Sequence, residues 1–246
     1  MPRYFIEVAY KGTNYAGFQK QDNAKTIQSE VEKALAVYFR IDFSLTGSSR
    51  TDAGVHARQN FFHFDTDVLD DSADMSKPVY HLNAILPPDI VVKSILRVKD
   101  DAHCRFDAIS RTYEYVVYQN KDPFLQETGY FYPYYIDIGL LQQFATELMQ
   151  HTDFESFSKK NTQVHTFNCR IRSCEWSKED GCLIYRVTGN RFLRGMVKGM
   201  VGTMLRLALK KQSVEQFRTI LVSKNPAMAD FAVPSHGLTL REVNYK

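Results

Sequence analysis

Hydrophobic and polar positions follow two periods along this chain, and their alternation sets out a run of strands and helices. Tyr4-Phe5-Ile6-Glu7-Val8-Ala9-Tyr10 is rich in aromatic and β-branched residues and predicts a strand. It ends at Lys11-Gly12-Thr13-Asn14, in a loop that continues through Gln21. Ile27, Val31, Ala34, Leu35 and Tyr38 then recur at helical spacing behind Thr26, a residue type that caps helices. Phe43 to Thr46 predict a short strand, and Gln59 to Asp65 another. A helix over Ser76 to Leu86 is stopped by Pro87-Pro88, and Ile90 to Val98 form the next strand. The order β-α-β-β-α-β is the ferredoxin-like plan.

The second half repeats that plan with insertions. Arg111 to Gln119 alternate as a strand, with Tyr113, Tyr115 and Val117 on one face. Ile138, Leu141, Phe144, Ala145 and Leu148 mark a helix. Cys169 to Trp176 and Cys182 to Thr188 predict a hairpin around Glu179-Asp180-Gly181. The apolar pattern from Phe192 to Leu209 predicts a long helix, and Ser213 with Gln216 has capping-box spacing for another. Leu238 to Tyr245 close the chain as a strand. Lys99-Asp100-Asp101 is a charged boundary. The expected fold is α+β: two ferredoxin-like (RRM-like) subdomains with mostly antiparallel sheets, residues 1–104 and 105–246, and a central active-site cleft.

Composition narrows the function classes. With 44% hydrophobic and 13% aromatic residues in 246, the chain can bury a sizeable core, which excludes disorder. A formal net charge of +3 is only mildly basic, so an anionic partner has to be met by a localised patch. The four cysteines, Cys104, Cys169, Cys174 and Cys182, form no tight Cys-x-x-Cys knuckle, and no metal site is expected from them or from His165. No apolar run approaches the ~20 residues that span a bilayer. No leader pattern precedes the first strand, so a cytoplasmic protein is expected.

The chemistry concentrates in Gly47-Ser48-Ser49-Arg50-Thr51-Asp52-Ala53-Gly54-Val55-His56-Ala57. Two glycines bracket small and polar residues around one carboxylate. Residue types alone leave two readings equal: a surface turn in which Asp52 bonds its own backbone, or a loop holding a reactive carboxylate. A nucleophilic Asp must stay ionised where water is excluded, and a cation ~4 Å away supplies about 4 kcal/mol toward that at an effective dielectric near 20. Arg50 is near in sequence. Arg191, Arg194 and Lys198 share spacing at the N-terminal end of the expected long helix, where the macrodipole disfavours cations by ~0.3–1 kcal/mol each. A chain that accepts this cost has a use for the charges, whereas Lys210 and Lys211 read as a solvated face. Gly195, Gly199 and Gly202 are not a dinucleotide fingerprint; their spacing predicts close packing of another element. A tyrosine on a sheet, such as Tyr113, is most often core.

Arg50-Thr51-Asp52-Ala53-Gly54-Val55-His56 resembles the signature of the tRNA pseudouridine synthase A (TruA) family, whose Asp is the catalytic nucleophile. Arg111-Thr112-Tyr113-Glu114-Tyr115 is similar to the family's second motif, where the first Tyr packs on the target base. Phe192-Leu193-Arg194-Gly195-Met196-Val197-Lys198-Gly199-Met200-Val201-Gly202 is similar to the third. Its final basic residue is usually an Arg paired with the Asp. Here it is Lys198, which keeps the charge without the bidentate fork. His103-Cys104-Arg105-Phe106 also resembles a family segment on the RNA-facing side. From Tyr10-Lys11-Gly12 to Gly237-Leu238 the resemblance covers nearly the whole chain.

The resemblance implies isomerisation of uridines 38, 39 and 40 in the tRNA anticodon stem-loop without metal or organic cofactor, by a homodimer. Asp52 is then the nucleophile, Arg50 and Lys198 hold it ionised, Tyr113 packs on the base, and Arg58 and Arg194 bind phosphate. Two rival readings remain. A non-catalytic RNA-binding protein on the same scaffold would have little need of the motif around Asp52. A glycoside hydrolase would need a second facing carboxylate, which none of the three motifs supplies.

Overall fold

The computed structural model describes residues 1–69, 74–159 and 164–245. The chain divides into two compact units, Met1–Ile109 with Leu240–Lys246, and Ser110–Thr239. Helices and antiparallel strand pairs occur in both, with one parallel pair in the second, which makes the class α+β. No helix among the described residues is long and apolar enough to cross a membrane.

In the first unit, β1 (Arg3–Tyr10) lies between β3 (His56–Asp65) and β4 (Ile90–Val98), antiparallel to both. β9 (Leu238–Asn244) continues the sheet beyond β3, and the two-residue β2 (Thr46–Gly47) pairs with β3. Aromatic and aliphatic side chains fill this sheet: Tyr4, Ile6, Val8, Phe62 and Phe64 are all buried. α1 (Ile27–Phe39) begins where Thr26 and Ser29 close a reciprocal capping box. It buries Ile27, Val31, Ala34 and Leu35 at the predicted spacing and stops at Arg40, which takes φ 61°. Its one buried charge, Glu32, accepts from Lys20, Gln28 and the Leu45 amide. α2 (Ser76–Ile85) ends just before Pro87-Pro88.

In the second unit, β8 (Cys182–Gly189) lies between β5 (Ser110–Tyr118) and β7 (Ile171–Glu179). The β7–β8 turn places Asp180 and Gly181 at φ 48° and 78°, the double positive that a two-residue hairpin favours. β6 (Tyr130–Phe131) pairs parallel with the end of β5, a strand too short for any periodic signal. α3 (Ile138–Leu148) is capped by Asp137 and buries Leu141, Phe144, Ala145 and Leu148 as the sequence predicts. α5 (Val214–Val222) starts at the expected Ser213–Gln216 box.

α4 (Met196–Leu209) corrects the sequence reading. It begins four residues later than the apolar pattern implies, because Gly195 sits in the left-handed region at φ 74° and serves as N-cap. Arg191 and Arg194 therefore lie outside the helix, and only Lys198 occupies its first turn. The dipole argument survives for Lys198 alone. The small-residue stripe does what its spacing predicts. A Cβ on Gly199 would stand 2.7 Å from the Phe231 ring, and one on Gly202 would overlap the Asp230 carbonyl. Thr203 Oγ1 accepts the Asp230 amide at 2.9 Å, fixing the 230–233 segment against the helix.

Gly202→Ala forces that segment off α4. We expect a loss of about 1–3 kcal/mol, the usual cost of overpacking. For a chain this size that lowers Tm by about 2–12 °C. Thermal unfolding by circular dichroism checks this; an unchanged Tm contradicts the packing described.

Candidate active site

Asp52 stands in the loop between β2 and β3, half-buried between buried Thr51 and exposed Ala53. The turn that carries it is closed by the Val55 amide, which donates to the Asp52 carbonyl at 3.2 Å. Gly54 takes φ 79°, the positive value required at the third position of such a turn.

Every flank of this turn is tied down by buried polar groups. On one side, Asn60, fully buried on β3, donates to the Ser49 carbonyl at 2.8 Å and accepts the Ser49 amide at 3.3 Å. It also donates to the Tyr10 hydroxyl at 3.2 Å, which lies 2.8 Å from Thr51 Oγ1. On the other side, buried His56 accepts the Gly12 amide on Nδ1 at 2.9 Å. Such groups are costly to bury unless satisfied, so each bond holds the next in place.

The loop after β1 is laid directly on this turn. Phe18 donates its amide to the Thr51 carbonyl at 3.1 Å. Gly17, at φ 109°, is so close that a Cβ would stand 3.0 Å from the Thr51 carbonyl oxygen and 3.4 Å from the Ala53 nitrogen. A Cβ on Gly12 would overlap the Val55 carbonyl. The far side of the same loop is anchored by Asp89, which accepts from Asn14 at 3.1 Å and from the buried Tyr15 hydroxyl in a very short bond. Burial and this carboxylate push the Tyr15 hydroxyl pKa well up, so it stays protonated as the donor.

Arg50 and Arg58 belong to the same unit. Both are exposed, Arg50 before Thr51 and Arg58 on β3 just past His56 and Ala57.

Tyr113, Arg194 and Lys198 belong to the second unit. Tyr113 is 8% exposed on β5 and meets the Phe192 ring edge-on, centroids 5.0 Å apart. Arg111, two residues earlier, donates to the Asn190 carbonyl at 2.9 Å. The 190–192 segment is thereby fixed on the start of β5. Two residues on, Tyr115 is fully buried and donates to the Pro234 carbonyl at 2.7 Å. Half-buried Lys198 donates to Ser235 Oγ at 3.2 Å, so the strand bearing Tyr113 and the first turn of α4 share the 234–235 segment. Arg194 is exposed, with its carbonyl accepting the Lys159 amide at 3.0 Å.

The predicted site residues thus fall into two groups: Asp52, Arg50 and Arg58 in one unit, Tyr113, Arg194 and Lys198 in the other. Sequence reasoning missed the supports of the first group: Gly12, Gly17, Tyr10 and Asn60. The glycines were visible as loop residues, but nothing local shows which backbone they approach. The three cysteines of the second unit are buried fillers. Burial pushes the Cys169 thiol up to about 11 and that of Cys174, 3.0 Å from Tyr185 Oη, up to about 12.

A family model described as tRNA pseudouridine synthase matches residues 6–107 and 145–246. Asp52 lies in the first stretch and Lys198 in the second, with Tyr113 between them. A protein named tRNA pseudouridine synthase A from Bacteroides thetaiotaomicron is 42% identical over 249 residues, covering 100% of this chain and 91% of its own. One of the same name from Parabacteroides distasonis is 40% identical over 245 residues, covering 100% and 96%. A third, from Staphylococcus aureus strain Newman, is 36% identical over 243 residues, covering 98% and 90%. With matches of this extent, the chain belongs to the tRNA pseudouridine synthase family.

Proposed function

We propose that this protein is an isomerase that converts uridine to pseudouridine at positions 38, 39 and 40 of the tRNA anticodon stem-loop, with Asp52 as its nucleophile. The observation that carries the reading is the fixed turn. One half-exposed carboxylate follows buried Thr51 on a backbone that buried polar groups and two close glycines keep from shifting. The full-length likeness to proteins named tRNA pseudouridine synthase A supports the substrate and the reaction.

The chemistry follows from the isomerisation itself. The uridine must leave its stack before the glycosidic bond is accessible, at a cost of a few kcal/mol. Asp52 forms a covalent adduct with the nucleotide. The bond from C1′ to N1 breaks, the base turns, and C1′ bonds to C5. The C5 proton is lost and N1 gains one, so the product has the mass of the substrate. Tyr113 packs on the extruded base, where aromatic stacking contributes ~1–3 kcal/mol. Lys198 and Arg50 keep the carboxylate charged and oriented. Arg58 and Arg194 bind phosphate, which positions RNA without reading its sequence.

The wider frame is part of the same proposal. Two ferredoxin-like subdomains carry the two groups of residues, and a homodimer in the cytoplasm binds the tRNA. The β-α-β-β-α-β order of the first half and the family resemblance support this reading.

Unmodified tRNA incubated with the protein should acquire pseudouridine at the three positions, mapped by carbodiimide modification and primer extension. Asp52→Asn should lower the rate by at least about 10³-fold, as loss of a nucleophile does, with tRNA affinity kept within a few fold. A wild-type protein that binds tRNA but forms no pseudouridine would establish the RNA-binding alternative. Release of free uracil would point to hydrolysis.

The cations separate by assay. Lys198→Ala should lower kcat by about 10–100-fold with little change in tRNA Kd, and Lys198→Arg should recover much of the loss. Arg58→Ala should instead weaken binding and reduce the salt dependence by about one phosphate contact. Equal losses of turnover and affinity in Lys198→Ala would remove its assigned role.

A further inference from the structure

One cluster of metal-binding side chains has no part in the proposed reaction. His63, on β3, meets His103 and Cys104, which follow β4 in the same unit, and one donor atom from each lies within 4.8 Å of the other two. His63 and Cys104 are buried and His103 is half-buried. His63 Nδ1 stands 3.1 Å from Cys104 Sγ and accepts the Cys104 amide at 3.3 Å, so an ion that takes this lone pair displaces that amide. The His103 ring stands across the His63 ring, centroids 4.6 Å apart at 70°.

We propose that His63, His103 and Cys104 bind one thiophilic divalent ion, of which Zn²⁺ is the type, as a structural site. Two imidazoles and a thiolate are the donors such an ion prefers, while Mg²⁺ or Ca²⁺ would take oxygen ligands. A tetrahedral ion with ~2.0–2.1 Å bonds to nitrogen and ~2.3 Å to sulfur sets its donors about 3.3–3.7 Å apart. The His63–Cys104 pair, at 3.1 Å, stands a few tenths of an ångström inside that range and has to open slightly to take the ion. His103 is the ligand that adjusts: its Nδ1 accepts the Arg105 and Phe106 amides at 3.1 and 3.4 Å, and partial exposure leaves the ring room to turn. On binding, the Cys104 thiol, which now donates to the Thr46 carbonyl at 3.2 Å, loses its proton to solvent. Water completes the fourth position.

The surroundings already hold these ligands in place. The His103 amide donates to Asp107 at 2.7 Å, and Tyr245 donates its hydroxyl to the Cys104 carbonyl at 2.6 Å. The ion would add a fixed link from the 99–107 segment to β3, the strand that leaves the Asp52 turn. Forty sequence positions separate His63 from His103, so no spacing motif announces the site.

The test uses the full chain, reduced and stripped with a chelator, then titrated with Co²⁺ and separately with Zn²⁺ against a chromogenic chelator. One equivalent should bind, with a thiolate-to-cobalt charge-transfer band and a raised Tm. His103→Gln changes a half-exposed residue and should keep the fold, yet weaken binding at least about tenfold, as loss of a ligand must. Cys104→Ala should abolish the band, whereas Cys182→Ala should retain it. No binding, a band that survives Cys104→Ala, or an affinity indifferent to His103→Gln would each overturn the proposal.

Discussion

The position of the Asp52 backbone is set by two residues with no side chain to hold a neighbour off. Gly12 and Gly17 let the loop after β1 lie against residues 51–55 at a distance no other residue type permits. Once that approach is made, the rest of the turn has few choices left. The Phe18 amide meets the Thr51 carbonyl, the Gly12 amide meets His56, and Asn60 bonds both backbone groups of Ser49. Among the described residues no buried side-chain nitrogen or oxygen is left without a partner. A fully satisfied network of this kind is rigid because moving one member strands another. The half-exposed carboxylate therefore sits on a platform assembled from β1, its following loop, and β3.

The second unit meets a different constraint. Tyr113 and Tyr115 project from one face of β5, and each meets a segment bordering α4: Phe192 before it, Pro234 after it. Gly195 in the left-handed region turns the chain into the helix, and Gly199 and Gly202 let the 230–233 segment pack against it. Lys198 emerges in the first turn of that helix, bonded to Ser235. Its charge opposes the macrodipole by ~0.3–1 kcal/mol. The bond to Ser235 holds the ammonium at that end of the helix.

Much of the fold was legible because its signals are local. The caps of α1 and α5, the apolar faces of α1 and α3, and the Asp-Gly hairpin turn are all written within a few residues. The start of α4 was not, because Phe192, Leu193, Met196 and Val197 keep a helical period straight across a glycine that breaks the helix. β2 and β6 have two residues each, too few to show any period. Among the expected functional residues, Asp52, Tyr113 and Lys198 stood out through motifs and a charge at an unfavourable place. Gly12, Gly17, Tyr10 and Asn60 did not, because their importance lies in which distant backbone they touch. As a metal ligand, Cys104 was weighed only among the cysteines, where no knuckle spacing suggests a metal site, because nothing local shows that His63 lies beside it.

In the proposed reaction a fixed backbone, and not merely the presence of a carboxylate, makes the Asp52 turn work. Gly17→Ala tests this most directly, by placing a methyl group against the Thr51 carbonyl at a φ that alanine rarely adopts. Pseudouridine formation under single-turnover conditions, measured beside Tm and tRNA affinity, is the readout. A rate lowered by about 10-fold or more is expected, since a shift of a few tenths of an ångström is a fraction of the ~1 Å misplacement that costs about 10²-fold, in a protein that still folds and still binds tRNA. A Gly17→Ala protein that folds, binds and turns over at the wild-type rate would contradict this role of the backbone.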